Sequence, residues 1–175
     1  MITKIITVTI ASLILLYIAI PSEWKCIYSS YNLKSTAAPI MIPVRGISKN
    51  DIEDTYGAYR SDERNHEGLD LFAARGTEVR NCCKGIILYT GRDVYGGNTV
   101  RVFGEDNRIY YYAHLDRYAD IKEGQIVNMN DLLGYVGNTG NALGTMPHLH
   151  FEIMEIDWLF PLIKTNINPY QQFRN

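Results

Sequence analysis

The chain is short of cysteine, of net charge and of helical periodicity, and each shortage narrows what it can be. It holds three cysteines, Cys26, Cys82 and Cys83. An odd count argues against a disulfide framework. Adjacent residues on a strand point to opposite faces, so a bridge between positions 82 and 83 would be strained. Buried free thiols are therefore expected at Cys82 and Cys83. Cys26, in "SEWKC", lacks the small residues that precede a lipidated cysteine. A net charge of -2 provides no basic face, so no nucleic-acid partner is expected. No segment after Asp54 sustains a 3.6-residue period, and there is no internal repeat or low-complexity run.

What is present is the composition of a globular protein, 46% hydrophobic and 21% charged. A length of 175 residues suits one domain with a core of its own, after allowance for a tail. Thirteen tyrosines fit either plain β-propensity or a groove that grips something polar.

The first 20 residues differ from the rest. From Ile5 to Ile20 the chain runs 16 residues without a charge. That exceeds a minimal signal sequence and falls short of the ~20 residues of a comfortable spanning helix. The expectation is a hydrophobic helix over 1–20, as signal-anchor or signal peptide, then a linker over 21–40 and one domain over 41–175. Either form of the leader puts that domain in the cell envelope, outside the cytoplasmic membrane, with anchoring to that membrane as one outcome.

From Gly57 onward the text is strand-like. "LDLFAA", "TEVRNCC", "GIILYTG", "NTVRVFG", "RIYYYAHL", "GQIVNM", "LLGYVG" and "HLHFEIM" are short, β-rich and separated by Gly, Asn or Asp. "GEDNR" (104–108) reads as a hairpin loop, and Ser48 caps one helical turn. An all-β sandwich or barrel-like domain is expected.

Histidine is scarce as well: four residues, none in a bland context. In "PHLHFEIM", Leu149, Phe151 and Ile153 take one side of a strand, and His148, His150 and Glu152 take the other. In "RNHEGLDLF", His66, Gly68 and Asp70 share a face. His114 in "YYYAHL" is expected to share its face with Tyr110 and Tyr112. Imidazoles and a carboxylate form a common zinc set that leaves a fourth position open. In such a site the metal lowers the pKa of water to about 7 and polarises a carbonyl. His66 and Asp70 converge if the strand bends at Gly68, where glycine also admits a ligand close to the backbone. The helical motif H-E-x-x-H fails, because position 70 is Asp and Gly68 weakens a helix. Spacing alone does not say which of His148 and His150 would hold a metal.

These residues resemble the lysostaphin/LytM-type zinc metallopeptidases, which are bacterial peptidoglycan endopeptidases. "TYGAYRSDERNHEGLDLFAARGTEVR", "GGNTVRVFGEDNRIYYYAHL" and "KEGQIVNMNDLLGYVGNTGNALGTMPHLHFEI" resemble the family's three motifs, in order. The likeness runs from about Ile42 to Pro169. It implies an antiparallel β-sheet sandwich or groove of the duplicated-hybrid-motif type. It implies one Zn2+ per domain on His66, Asp70 and His150. His148 and His114 then match the two catalytic histidines that are not ligands, with His148 favoured as general base and His114 as partner of the oxyanion. Glu152 is either an orienter of a neighbouring ligand or an exposed strand carboxylate. Tyr112 and Tyr95 are candidate groove walls. Met146 is expected to shape the groove without touching the chemistry.

The implied function is hydrolysis of peptide cross-links or stem peptides in peptidoglycan. The alternative is a non-catalytic LytM-like module that activates a cell-wall amidase. Such modules usually lack part of the His/Asp set, and this chain keeps all of it. The hairpin-like "IKEGQIVNMNDLLGYVG" resembles biotinyl carrier domains but has no lysine at a hairpin tip.

Overall fold

A computed structural model describes residues 40–60, 65–156 and 164–173. The expected helix over 1–20 and the linker, all but its last residue, lie outside the described residues. Among the described residues no helix is long and apolar enough to cross a membrane.

The architecture is antiparallel β, as expected. Among the described residues nine strands follow one another: β1 Leu69–Phe72, β2 Glu78–Arg80, β3 Gly85–Asp93, β4 Gly97–Gly104, β5 Arg108–Tyr118, β6 Ile126–Val127, β7 Leu132–Val136, β8 His148–Ile156 and β9 Lys164–Ile167. Short 3-10 turns at Lys49–Asp51, Gly140–Ala142 and Pro169–Gln172 complete the described elements. The first is capped by Ser48, as its sequence suggests. The turn between β4 and β5 places Asn107 at φ 65°, a left-handed conformation that asparagine tolerates.

All nine strands join one hydrogen-bonded sheet, with the order β1-β8-β5-β4-β3-β6. The sheet branches at β5. Residues 108–113 of β5 pair with β8, and residues 115–118 pair with β7, which in turn carries β2. The alternation in "HLHFEIM" is realised as written: Leu149, Phe151 and Ile153 are fully buried. They pack with Leu69, Leu71, Val100, Val102, Tyr110, Tyr112 and Leu115 in the main core. Burial of each large side chain there contributes ~1.5–3 kcal/mol. That core fixes β1, β5 and β8 side by side and so fixes where their polar faces meet.

Cys82 and Cys83 are both buried. They lie in a bend after β2 rather than on a strand, so the argument from alternating faces does not apply to them. Burial pushes the Cys82 thiol up, and its sulfur accepts a hydrogen bond from Tyr112 Oη at 3.1 Å. Both act as packing groups.

Candidate active site

The polar faces of β1 and β8 place Asp70 opposite His150 and Phe72 opposite His148. His66 is not on a strand. It ends a loop whose base is closed by His66 N–H donating to Ala58 O and Gly57 N–H donating to His66 O, both 2.8 Å. The chain then bends at Gly68, which turns His66 back over β1. A Cβ at Gly68 would lie 2.7 Å from Phe151 O and 2.8 Å from His150 Cε1. The approach of β8 by itself requires glycine there.

Three ligand-type atoms converge. His66 Nε2 is 3.1 Å from Asp70 Oδ1, His150 Nδ1 is 3.0 Å from the same oxygen, and the two nitrogens are 2.9 Å apart. Ligands ~2.0–2.1 Å from a tetrahedral zinc are separated by about 3.3 Å, close to this triangle. The outer atoms of the same rings are already committed. His66 Nδ1–H donates to Thr55 O at 2.8 Å, and His150 Nε2–H donates to Glu152 Oε1 at 2.8 Å. In the neutral rings these bonds place the lone pairs of His66 Nε2 and His150 Nδ1 toward the carboxylate, free for a metal that displaces any proton held there. A cation satisfies all three acceptors at once, so the donor set fits a divalent metal. Among the described residues this is the one cluster of metal-ligand type.

The supports of the cluster come from residues with no motif signature. Thr55 Oγ1 accepts from Asp70 N–H at 3.2 Å, so Thr55 holds both His66 and Asp70. Arg60 Nη2 donates to Asp70 Oδ2 at 2.6 Å and leaves Oδ1 for the cluster. Glu152 also accepts from Asn166 Nδ2 at 3.1 Å. Glu152 is only 15% exposed and bonded to the His150 ring, the arrangement the orienter reading requires. Electrostatics favours positive charge at the centre. Burial opposes a charged His150, but the Asp70 and Glu152 carboxylates outweigh it and raise its pKa to about 9. Burial likewise opposes ionised Asp70, yet hydrogen bonds from His150, His66 and Arg60 hold its carboxyl well below the usual range.

The remaining two imidazoles face the same cleft. His148 Nδ1–H donates to Met146 O at 2.8 Å, and His148 Nε2 lies 3.9 Å from Asp70 Oδ1. His114 Nδ1–H donates to Thr139 O at 2.9 Å. The His114 ring is 5.1 Å from that of His148 and 5.7 Å from that of His150. Burial, reinforced by the neighbouring His150 and His148, lowers the His114 pKa to about 4. Both backbone carbonyls leave an Nε2 lone pair directed away from the backbone. Met146 lines the cleft, as expected, and also holds the His148 ring through its carbonyl.

His114 reaches the cleft by a route that simple alternation misses. Asn98 pairs with Leu115 and Val100 with Tyr112, so Ala113 and His114 together oppose Thr99. This is a β-bulge, which re-aims a side chain. His114 takes φ 62°, at the point where β5 exchanges β8 for β7. The expected common face of His114, Tyr110 and Tyr112 is therefore corrected. Tyr110 and Tyr112 are buried in the core, while Tyr111 and His114 line the cleft. Tyr112 is no wall residue, whereas Tyr95 is one and stands 61% exposed.

Two loops lock behind His114. A Cβ on Gly97 would lie 2.3 Å from Gly140 N, and one on Gly140 would lie 2.2 Å from Tyr95 O. This backbone contact, with Asn141 N–H donating to Tyr95 O at 2.9 Å, sets Thr139 against His114. The cleft encloses about 600 Å3.

The family model for peptidase family M23 matches residues 64–169. The chain belongs to that family. A relative, the L-Ala–D-Glu endopeptidase of Bacillus subtilis (strain 168), is 31% identical over 172 residues, covering 90% of this chain and 49% of its own length. The peptidoglycan DD-endopeptidase ShyA of Vibrio cholerae is 34% identical over 89 residues, covering 51% of this chain and 20% of that protein. The chain thus spans half or less of the length of these relatives. Among solved structures, the catalytic domain of lysostaphin from Staphylococcus simulans superposes with a TM-score of 0.59 at 29% identity. That match covers 70% of this chain and 92% of the lysostaphin domain. The chain therefore shares the fold of the lysostaphin catalytic domain.

Proposed function

We propose that this chain is a zinc-dependent endopeptidase that hydrolyses peptide cross-links or stem peptides of bacterial peptidoglycan. The observation that carries the reading is the convergence of His66 Nε2, Asp70 Oδ1 and His150 Nδ1 within 3.1 Å, beside two further imidazoles held by backbone carbonyls. Family membership and the endopeptidase names of the relatives support it. The metal ligands in this reading are His66, Asp70 and His150. Bound zinc supplies a Lewis acid for the amide carbonyl and an acidified water.

The chain's own residues do the rest. His148 has its Nε2 near the ligand cluster, with the Nδ1 proton parked on Met146 O, so it can take a proton as general base. His114 has committed its Nδ1–H to Thr139 O, so it meets an oxyanion only after gaining a proton at Nε2. Negative charge developing beside it would raise its low pKa and let it take that proton from solvent in the cleft. Substrate and wall lie outside the cytoplasmic membrane, and the domain is placed there in this reading.

The test is digestion of purified sacculi with mass analysis of the fragments. New amine and carboxyl termini within the stem or bridge peptides are expected. His148→Ala should keep zinc and lose hydrolysis. A protein that releases no fragments alone, but stimulates a wall amidase, would support the non-catalytic reading.

A further inference from the structure

His114 holds a left-handed backbone that histidine does not favour, so something must keep it there. Its N–H donates to Gly96 O at 2.7 Å. Gly96 N–H in turn donates to Asp93 Oδ1, and Asp93 Oδ2 accepts from Tyr111 Oη at 2.6 Å. The fit leaves no slack: a Cβ on Gly96 would lie 2.0 Å from Tyr111 Oη. The Tyr111 ring meets His150 edge-on, with centroids 6.3 Å apart. Its other flank carries the Arg101 guanidinium, 5.2 Å from the ring centre. One side chain therefore touches a proposed metal ligand directly and reaches His114 through three hydrogen bonds, by way of Asp93 and Gly96.

We propose that Tyr111, clasped to Asp93, is a positioning residue that fixes His114 relative to His150. The hydroxyl holds the Asp93–Gly96 turn, that turn closes the kink at His114, and the ring sets the distance to the metal side. The proposal rests on the hydrolase reading for its kinetic consequence but not for its geometry. It assigns separate duties to two parts of one side chain. Phenylalanine at 111 keeps the ring against His150 and removes only the clasp.

The experiment uses the full chain loaded with zinc and compares wild type, Tyr111→Phe, Asp93→Ala and the double variant on sacculi. Tyr111→Phe is expected to lower kcat about tenfold or more, the scale of losses at residues supporting a site. KM and zinc content should stay at wild-type values. The double variant should lose no more than Asp93→Ala alone, because both cut the same chain of bonds. Imidazole 15N spectra should show His114, and not His148, changed in Tyr111→Phe. Unchanged kcat in Tyr111→Phe, or a joint loss of kcat, KM and zinc, would overturn the proposal. If Tyr111→Phe fails to fold, Asp93→Ala carries the same comparison. If the wild type leaves sacculi intact, the hydrolase reading fails, and the His114 spectra alone decide the positioning claim.

Discussion

At the scale of single residues, the site is a set of imidazoles whose protons are assigned by what stands behind them. Thr55 O, Thr139 O and Met146 O fix three rings, and the Glu152 carboxylate fixes the fourth. Two consequences can be measured. Glu152→Gln keeps a hydrogen-bond acceptor for His150 but removes the charge, so zinc affinity should fall by about 10–100-fold, the range seen for such supports. Metal titration against a competing chelator reads this, and an unchanged affinity would mean that Glu152 is only a surface carboxylate. The second concerns pH. In the metal-free protein His150 titrates at about 9, so below that pH the metal must displace a proton. Zinc affinity should rise about tenfold per pH unit up to that value and then level off. The same titration repeated across that range tests it. The sequence makes legible five side chains that gather at the cleft, His66, Asp70, His114, His148 and His150, because imidazoles and carboxylates are the types that bind metals and move protons. It hides Thr55, Thr139 and Met146, whose contributions are largely backbone oxygens that every residue has.

At the scale of elements, β8 was fully readable and β5 was not. The burial of Leu149, Phe151 and Ile153 follows from period-2 alternation, which is a local property. The position of His114 depends on a bulge opposite Thr99, which belongs to the pairing of two strands. Tyr110, Tyr112 and Leu115 are all buried, and their two-then-three spacing was the one trace of it in the sequence. The face expected for His114 beside Tyr110 and Tyr112 differs for that reason, and alternation alone does not mark Tyr111 as a cleft residue. The loop contact behind His114 makes its own prediction. Gly140 has φ 69° and no room for a Cβ, so Gly140→Ala must part the two loops. Thr139 O then leaves His114, and hydrolysis should collapse while zinc stays bound. Wild-type activity in Gly140→Ala would show that the loop contact is incidental.

At the scale of the whole molecule, the main core presses β1, β5 and β8 together, and the metal-type cluster sits on the opposite, polar face of those strands. The antiparallel architecture and eight of the nine strands could be read in the sequence, because their apolar residues and turn signals are local. β9 and the branching of the sheet at β5 could not, since they are set by pairing between distant segments. Stripping the metal should give stability a characteristic pH dependence. His150 in the folded state binds its proton up to about 9 against an ordinary value of about 6.5, so its contribution is full below about 6.5 and lost as pH rises to about 9. His114 has the opposite sign: folded it resists protonation until about 4, so stability falls as pH drops below about 6.5. Thermal unfolding of the chelator-treated protein should therefore show its highest Tm near neutral to slightly acid pH. Added zinc should flatten the alkaline side, where ligation replaces the proton on His150.

The most direct test is the zinc content of the purified protein and of four single variants, measured by elemental analysis. One zinc per chain is expected in the wild type, in His114→Ala and in His148→Ala, and almost none in Asp70→Ala and His150→Ala. A full complement of zinc in both Asp70→Ala and His150→Ala would contradict the account.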